Sequence, residues 1–162
     1  MLIEGNINNQ EQIQSVEKYI ENIDSKIKKP IYLIYNEHFP FFDTTPNISI
    51  SLININTIKD LELKLNKKID YERFRGNILI DDLNPWEEFN LIDKKLKVNN
   101  LKFKVESMIP RCSATNINPK NYSLDINLPN TLIKHYGHKN FGIYLSPLSS
   151  GFINKNDKIT IL

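Results

Sequence analysis

Between Asn9 and Ile27, apolar residues recur every three or four positions. Ile13, Val16, Ile20, Ile23 and Ile27 share one face, and the spacing predicts an amphipathic helix stopped by Lys28, Lys29 and Pro30. Ile31-Tyr32-Leu33-Ile34-Tyr35 is then short, apolar and β-branched or aromatic, which predicts a strand. A loop with Pro40 and Pro46 covers 36–47. Beyond it Ile48, Ile50 and Leu52 alternate with Ser49 and Ser51, as in a half-buried strand. A second helix is expected from Thr57 to Leu65, with Thr57 and Asp60 at capping-box spacing and Ile58, Leu61 and Leu65 as its stripe. Residues 69–81 read as extended, with Phe74 and Ile78 to Ile80 supplying core side chains. Pro85-Trp86-Glu87-Glu88 reads as a turn or helical start. Leu101 to Ile109 alternates apolar residues with Lys and Glu, and is predicted as a strand. A polar loop, 110–128, leads to a short helix opened by Pro129, running Thr131 to Tyr136 and stopped by Gly137. Phe141 to Leu145 and Lys158 to Leu162 are the last expected strands, the second preceded by a turn at Asn156-Asp157.

This irregular order, with strands dominating the C-terminal two-thirds, predicts a mainly β fold with a few helices, α+β in class, and excludes a regular doubly wound sheet. The length of 162 residues allows one domain, or one with a small appendage. Five Gly and eight Pro in a chain that is 40% hydrophobic exclude collagen-like and low-complexity architectures. A disulfide framework is excluded because Cys112 has no partner. The 21 basic and 19 acidic residues give a net charge of +2, too balanced for an electrostatically driven nucleic-acid binder. No apolar run approaches the roughly 20 residues that cross a bilayer. Met1 to Asn6 lack the pattern of a secretory signal, and with one thiol the expected location is the reducing cytoplasm.

Positive charge is nearly all Lys; the arginines are Arg73, Arg75 and Arg111. If Arg73-Phe74-Arg75-Gly76-Asn77 is extended, Arg73, Arg75 and Asn77 share a face. Two guanidiniums and an amide there suit phosphate or carboxylate oxygens. The same spacing also fits a salt-bridged strand edge, with Glu72 or Asp70 as partner. Cys112 follows an apolar strand and stands beside Arg111. An adjacent cation favours the thiolate, which is both a nucleophile and a soft-metal ligand. A buried, inert thiol is the commoner fate of a lone cysteine. His38, His135 and His138 do not form a zinc pattern with Cys112, and His138 is expected to cap a helix end. Lys94, Lys95 and Lys97 read as a solvated turn or strand face, and Trp86 as a packing residue.

Taken in order, several of these segments resemble the MOSC domain, the family named for the C-terminal domain of molybdenum cofactor sulfurases. They are His38 through Asp43-Thr44, Ser49 to Asn54, Arg73-Phe74-Arg75-Gly76-Asn77 and Pro85-Trp86-Glu87-Glu88. Pro110-Arg111-Cys112 through Thr115, Asn118-Pro119, Leu132 with Tyr136-Gly137-His138, Phe141 to Tyr144, and Gly151-Phe152-Ile153 with Asn156-Asp157 follow. The resemblance places the domain at 37–162, with 1–36 as a helix and strand leading into it. It implies a barrel-like β fold and a role with the molybdenum cofactor (molybdopterin). On that basis Cys112 is the molybdenum ligand and catalytic residue, and Arg73, Arg75, Asn77, Arg111 and Thr115 are cofactor-binding positions near the pterin and its phosphate. Relatives of this type reduce N-hydroxylated or similar N-oxygenated small molecules with electrons from a separate redox protein. Others carry sulfur as a cysteine persulfide received from a cysteine desulfurase. The N-terminal β-rich region of cofactor-binding members is not recognised in this sequence. A separate polypeptide supplying it, or a non-catalytic remnant, is therefore a third expectation. The expected partners include neither nucleic acid nor membrane. Asn118 and Asn156 stand where the family usually has Asp and Gly.

Overall fold

The computed structural model describes residues 6, 8–38 and 50–162. The chain forms two compact units, Met1–Asp43 and Thr44–Leu162. In the first, helix α1 spans Gln10–Ile23, and the Asn9 side chain accepts from the Glu11 and Gln12 amides. Such a cap replaces bonds the first turn cannot make for itself. The helix ends earlier than the apolar period suggests. Asp24 turns extended, and its carboxylate accepts from the Lys26 amide in a local turn that competes with the next helical bonds. Residues 31–35 form no β-ladder. The amides of Ile31 and Leu33 instead donate to Glu21 and Glu17, carboxylates one turn apart on α1, so side chains take the place of a partner strand.

The second unit is built on a curled six-stranded sheet, a half-barrel, in the order β2-β1-β5-β4-β3-β6. The strands are β1 (Ile50–Asn54), β2 (Ile78–Ile80), β3 (Lys95–Val98), β4 (Leu101–Pro110), β5 (Asn140–Pro147) and β6 (Ile159–Ile161). The β1–β2 pair is parallel, and the other pairs are antiparallel. Helix α2 (Ile55–Leu65) follows β1 directly and α3 (Leu128–Tyr136) precedes β5. Alternation along β1 sends Leu52 into one core and Ile53 into another. The first core gathers Leu96, Phe103, Val105, Ile143 and Leu145. The second packs Ile58 and Leu61 of α2 and Leu132 of α3 against Phe74 and Phe141. Each such side chain contributes roughly 1.5–3 kcal/mol on leaving water.

The mainly β, α+β expectation is met, and the barrel is open. Its outer strands β2 and β6 line one cleft of about 990 Å³. Two local expectations are corrected. Residues 71–74 form a 3-10 turn rather than extended chain. The cap of α2 is Asn54, not Thr57, because the Thr57 hydroxyl is committed to Glu88 and Asp60 accepts from Trp86 and Tyr136. Of the two readings of 85–88 the turn holds: Pro85 and Trp86 turn, with Trp86 in the left-handed region, into the 3-10 turn Glu87–Leu91. Strand 48–52 is observed from Ile50, and 48–49 lie outside the described residues, as do Asp43 and Thr44. The C-terminal expectations hold: Gly137 closes α3 at φ 77°, and Asn156 takes φ 73° in its turn.

Candidate functional site

The site begins with the chain from Asp70 to Asn77. The Asp70 carboxylate accepts from the Glu72 amide and starts the 3-10 turn Tyr71–Phe74, which Arg75 ends at φ 50°. A turn of this kind separates what a strand would align, so Arg73, Arg75 and Asn77 do not share a face. Arg73 is buried. Its Nη1 donates to the Thr115 carbonyl at 2.8 Å and its Nη2 pairs with Asp125 at 2.7 Å, while its Nε has no partner. Partial burial alone would raise Asp125, but bonds from Arg73, Lys67 and Asn118 outweigh it and hold the carboxyl below its usual range. Arg73 is thus a brace between the turn and the segment after the cysteine. Arg75 is exposed, and its guanidinium has no partner among the described residues. The Asn77 carbonyl oxygen accepts from the amide and hydroxyl of Ser51, which ties the chain entering β2 to β1. Asn77 also lines the cleft between β2 and β6, whereas Cys112 does not.

The second part is the end of β4. Ile109 is buried, and the Arg111 amide bonds the Lys139 carbonyl. Alternation sends the Arg111 side chain inward. There Nη1 donates to the Phe74 carbonyl at 3.0 Å and Nε to the Phe141 carbonyl at 2.8 Å. Its guanidinium lies 5.5 Å from the Phe74 ring, which stacks on Phe141 at 4.1 Å. No carboxylate pairs with Arg111 among the described residues. Burial pulls its pKa down to about 10, Arg75 pushes the same way, and Tyr144 and Cys112 push back. Those opposing influences put Tyr144, Arg75 and Cys112 each within electrostatic reach of Arg111. Gly142 makes room for this arrangement. It sits at φ 77°, and a Cβ there would meet the Leu52 carbonyl at 2.6 Å and the Ile53 side chain at 2.5 Å.

Cys112 itself is exposed and free. It is extended and caps the turn Ser113–Asn116. Its carbonyl accepts from the Thr115 amide and, at 2.7 Å, from the Thr115 hydroxyl. Thr115 therefore fixes the cysteine backbone and is itself buried. The arrangement offers a soft sulfur donor and a guanidinium in solvent, near a buried cation that no carboxylate among the described residues neutralises. Chemically this suits a thiophilic metal centre or an anionic sulfur species, with an anionic group on Arg75.

A family model described as the MOSC domain matches residues 27–160. The chain belongs to the MOSC domain family. Among relatives, it is 31% identical over 121 residues to a molybdenum cofactor sulfurase of Bombyx mori, covering 68% of this chain and 14% of that protein. It is 25% identical over 142 residues to mitochondrial amidoxime reducing component 2 of Bos taurus, covering 76% of this chain and 42% of the relative. The chain thus spans less than half of these curated relatives. The fold matches the crystal structure of YiiM from Geobacillus stearothermophilus with a TM-score of 0.57 at 16% identity, over 72% of this chain and 55% of that one.

Two residues of this MOSC domain escape sequence reasoning. Asp125, the brace partner of Arg73, is the one acidic residue in 110–128, and that isolation was its only signal. Glu88 is fully buried and accepts from the Thr57 hydroxyl at 2.8 Å and the Asn54 amide at 3.0 Å. Burial raises its carboxyl above the usual range, and those two bonds offset it in part. Nothing in the Trp86-Glu87-Glu88 stretch shows which glutamate turns inward. Trp86 is a packing residue, as expected, set between Tyr136, Phe89, His138 and Phe141. His138 does not cap α3, since the Gly137 amide does; its Nδ1 accepts from the Asn140 amide. Among the described residues no cluster of metal-ligating side chains surrounds Cys112.

Proposed function

We propose that this MOSC domain binds the molybdenum cofactor, with Cys112 as the protein's thiolate ligand, and takes part in reducing N-hydroxylated or related N-oxygenated small molecules. The observation carrying this reading is the exposed Cys112 next to buried Arg111, which has no carboxylate partner among the described residues, with Arg75, unpartnered among them, within electrostatic reach of Arg111. A thiolate suits a soft metal. Arg75 suits the anionic tail of a pterin cofactor, because a guanidinium fork matches phosphate oxygens in pairs. Arg73, Arg111 and Thr115 contribute by bracing the backbone around Cys112, and Asn77 by tying the chain just after Arg75 to Ser51 of β1. When bound, the cofactor supplies the redox chemistry; the protein holds and orients it. Electrons come from a separate redox protein. The test is the molybdenum and pterin content of protein made in a host that synthesises the cofactor, alongside a Cys112→Ser variant. Metal in the parent and little in the variant is expected, with equal thermal stability of the cofactor-free forms because the residue is exposed. Metal-free parent protein, or equal content in both, overturns the reading.

A second reading, a sulfur carrier with a Cys112 persulfide, is favoured by the same exposed thiol and by the relatives' printed description as sulfurases. It predicts the mass of one added sulfur on Cys112 after incubation with a cysteine desulfurase and free cysteine, and no addition in Cys112→Ser.

A further inference from the structure

Tyr144 stands on β5 between two serines. The register sets it against Ser51 of β1 on one side and Ser107 of β4 on the other. Its chain neighbours Ile143 and Leu145 are buried in the first core, so alternation turns Tyr144 to the opposite face of the sheet, where it is half-buried. Its hydroxyl has no hydrogen-bond partner among the described residues. The phenol therefore keeps a donor for a group outside the protein.

Two tethers bring the backbone of Arg75 to this tyrosine. The hydroxyl of Ser51, the residue opposite Tyr144, lies 2.8 Å from Asn77 Oδ1 and 3.4 Å from the Arg75 carbonyl. Arg111 donates from Nη1 to the carbonyl of Phe74, the residue just before Arg75. Its Nη2 lies against Gly142, two residues from Tyr144, where a Cβ would come within 3.4 Å of it. The chain at 74–75 is thus fastened once through the residue facing Tyr144 and once through the guanidinium beside it. Arg111 responds electrostatically to both Tyr144 and Arg75, and none of the groups acting on it is a carboxylate. Glu106, the carboxylate on the same stretch of β4, is bonded to Lys104 and Ser146. What this face presents is an exposed guanidinium and an unengaged phenol near a second, buried guanidinium.

We propose that Tyr144 and Arg75 together seat one phosphate group, the Tyr144 hydroxyl donating one hydrogen bond to it and the Arg75 fork donating a pair. Bonds from neutral or charged donors to an ionised oxygen are the strong ones, and a guanidinium matches phosphate oxygens two at a time. Arg111 is a positioning residue here: it holds the Phe74 carbonyl and adds positive charge beneath the seat without touching the anion. That the phosphate is the tail of the pterin cofactor rests on the function proposed above; the seat itself rests on the fold and suits any phosphate monoester. The sequence shows Tyr144 only as a strand residue, because its opposition to Ser51 depends on the register of two distant strands.

The test titrates the cofactor-free full chain with inorganic phosphate and follows binding by phosphorus NMR. Tyr144→Phe keeps the ring, and should weaken binding about threefold or more with an unchanged thermal midpoint. Arg75→Gln should weaken it about tenfold. In the Arg75→Gln background, Tyr144→Phe should change binding less than about twofold, because two donors to one anion are coupled. A Lys97→Gln, Lys102→Gln pair, on surface strands away from this face, should bind like the parent. No binding by the parent, Tyr144→Phe binding like the parent, equal factors in both backgrounds, or a loss in the lysine pair equal to that in Arg75→Gln overturns the proposal. Molybdenum and pterin content of Tyr144→Phe from a cofactor-competent host separates the two readings. Content about threefold below the parent's assigns the seat to the cofactor. Tyr144-dependent phosphate binding in a parent that carries no cofactor sinks the cofactor reading and keeps the seat.

Discussion

Arg73 and Arg75 are two residues apart and do opposite work. The 3-10 turn points Arg73 into the protein, where both terminal nitrogens are used, and leaves Arg75 in solvent with none used. Their substitutions should therefore separate stability from binding. Arg73→Met removes the buried partner of Asp125, leaving it Lys67 and Asn118, and takes a donor from the Thr115 carbonyl, which should cost about 2 kcal/mol in chemical denaturation. Arg75→Gln should move the denaturation midpoint by less than about 0.5 kcal/mol yet lower the cofactor content of protein from a cofactor-competent host. If Arg75→Gln destabilises as much as Arg73→Met, the division between brace and binder is wrong. The sequence showed that these arginines were unusual in a lysine-rich chain. It could not show which was free, because that depends on Asp125, 52 residues downstream of Arg73.

At the scale of elements, what was legible followed local rules. Strand β4 is announced by its alternation, and α3 by Pro129 and Gly137, because those signals reside in the segments themselves. What was not legible required a partner from elsewhere. Thr57 and Asp60 have the spacing of a capping box, but long-range bonds to Glu88, Trp86 and Tyr136 outbid the local one. Residues 31–35 have strand composition, yet α1 carboxylates satisfy their amides. The seating of Arg111 is of the same kind, since it rests on a bend in β5. Gly142 lies between Phe141, which joins the second core, and Ile143, which joins the first, where the β4–β5 register also shifts. Gly142→Ala would put a methyl against the Leu52 carbonyl in a backbone conformation that L-residues disfavour. A loss of at least about 2 kcal/mol is expected. It should come with a fall in the reactivity of Cys112 toward a thiol reagent, measured under conditions where the variant is still folded. Unchanged stability would mean that β5 tolerates a regular residue at the bend.

Across the whole molecule, carboxyl groups pull the pH dependence in two directions. Glu62 is raised by its partial burial but held down overall by bonds from Lys68 and the Ile69 amide. Asp70 is lowered by the Glu72 amide and Lys120, and Asp125 is lowered as described above. A carboxyl lowered on folding contributes stability that is present above its unfolded pKa and lost as pH falls through the folded one. Glu88 is the opposite case, because burial raises it. The folded state holds that proton more tightly, so its contribution is complete below the ordinary carboxyl range and disappears as pH rises through the raised value. Maximum stability should therefore lie on the acid side of neutrality, above the range where Asp70 and Asp125 protonate. Denaturation midpoints measured at steps from neutral pH downward should rise and then fall. In Glu88→Gln the amide keeps one carbonyl acceptor for Thr57 or Asn54 and carries no charge, so the initial rise should vanish while the acid-side fall remains. A Glu88→Gln profile parallel to that of the parent would mean that Glu88 binds its proton equally well folded and unfolded, so that burial does not raise it. The descent toward acid would then belong to the surface carboxylates alone.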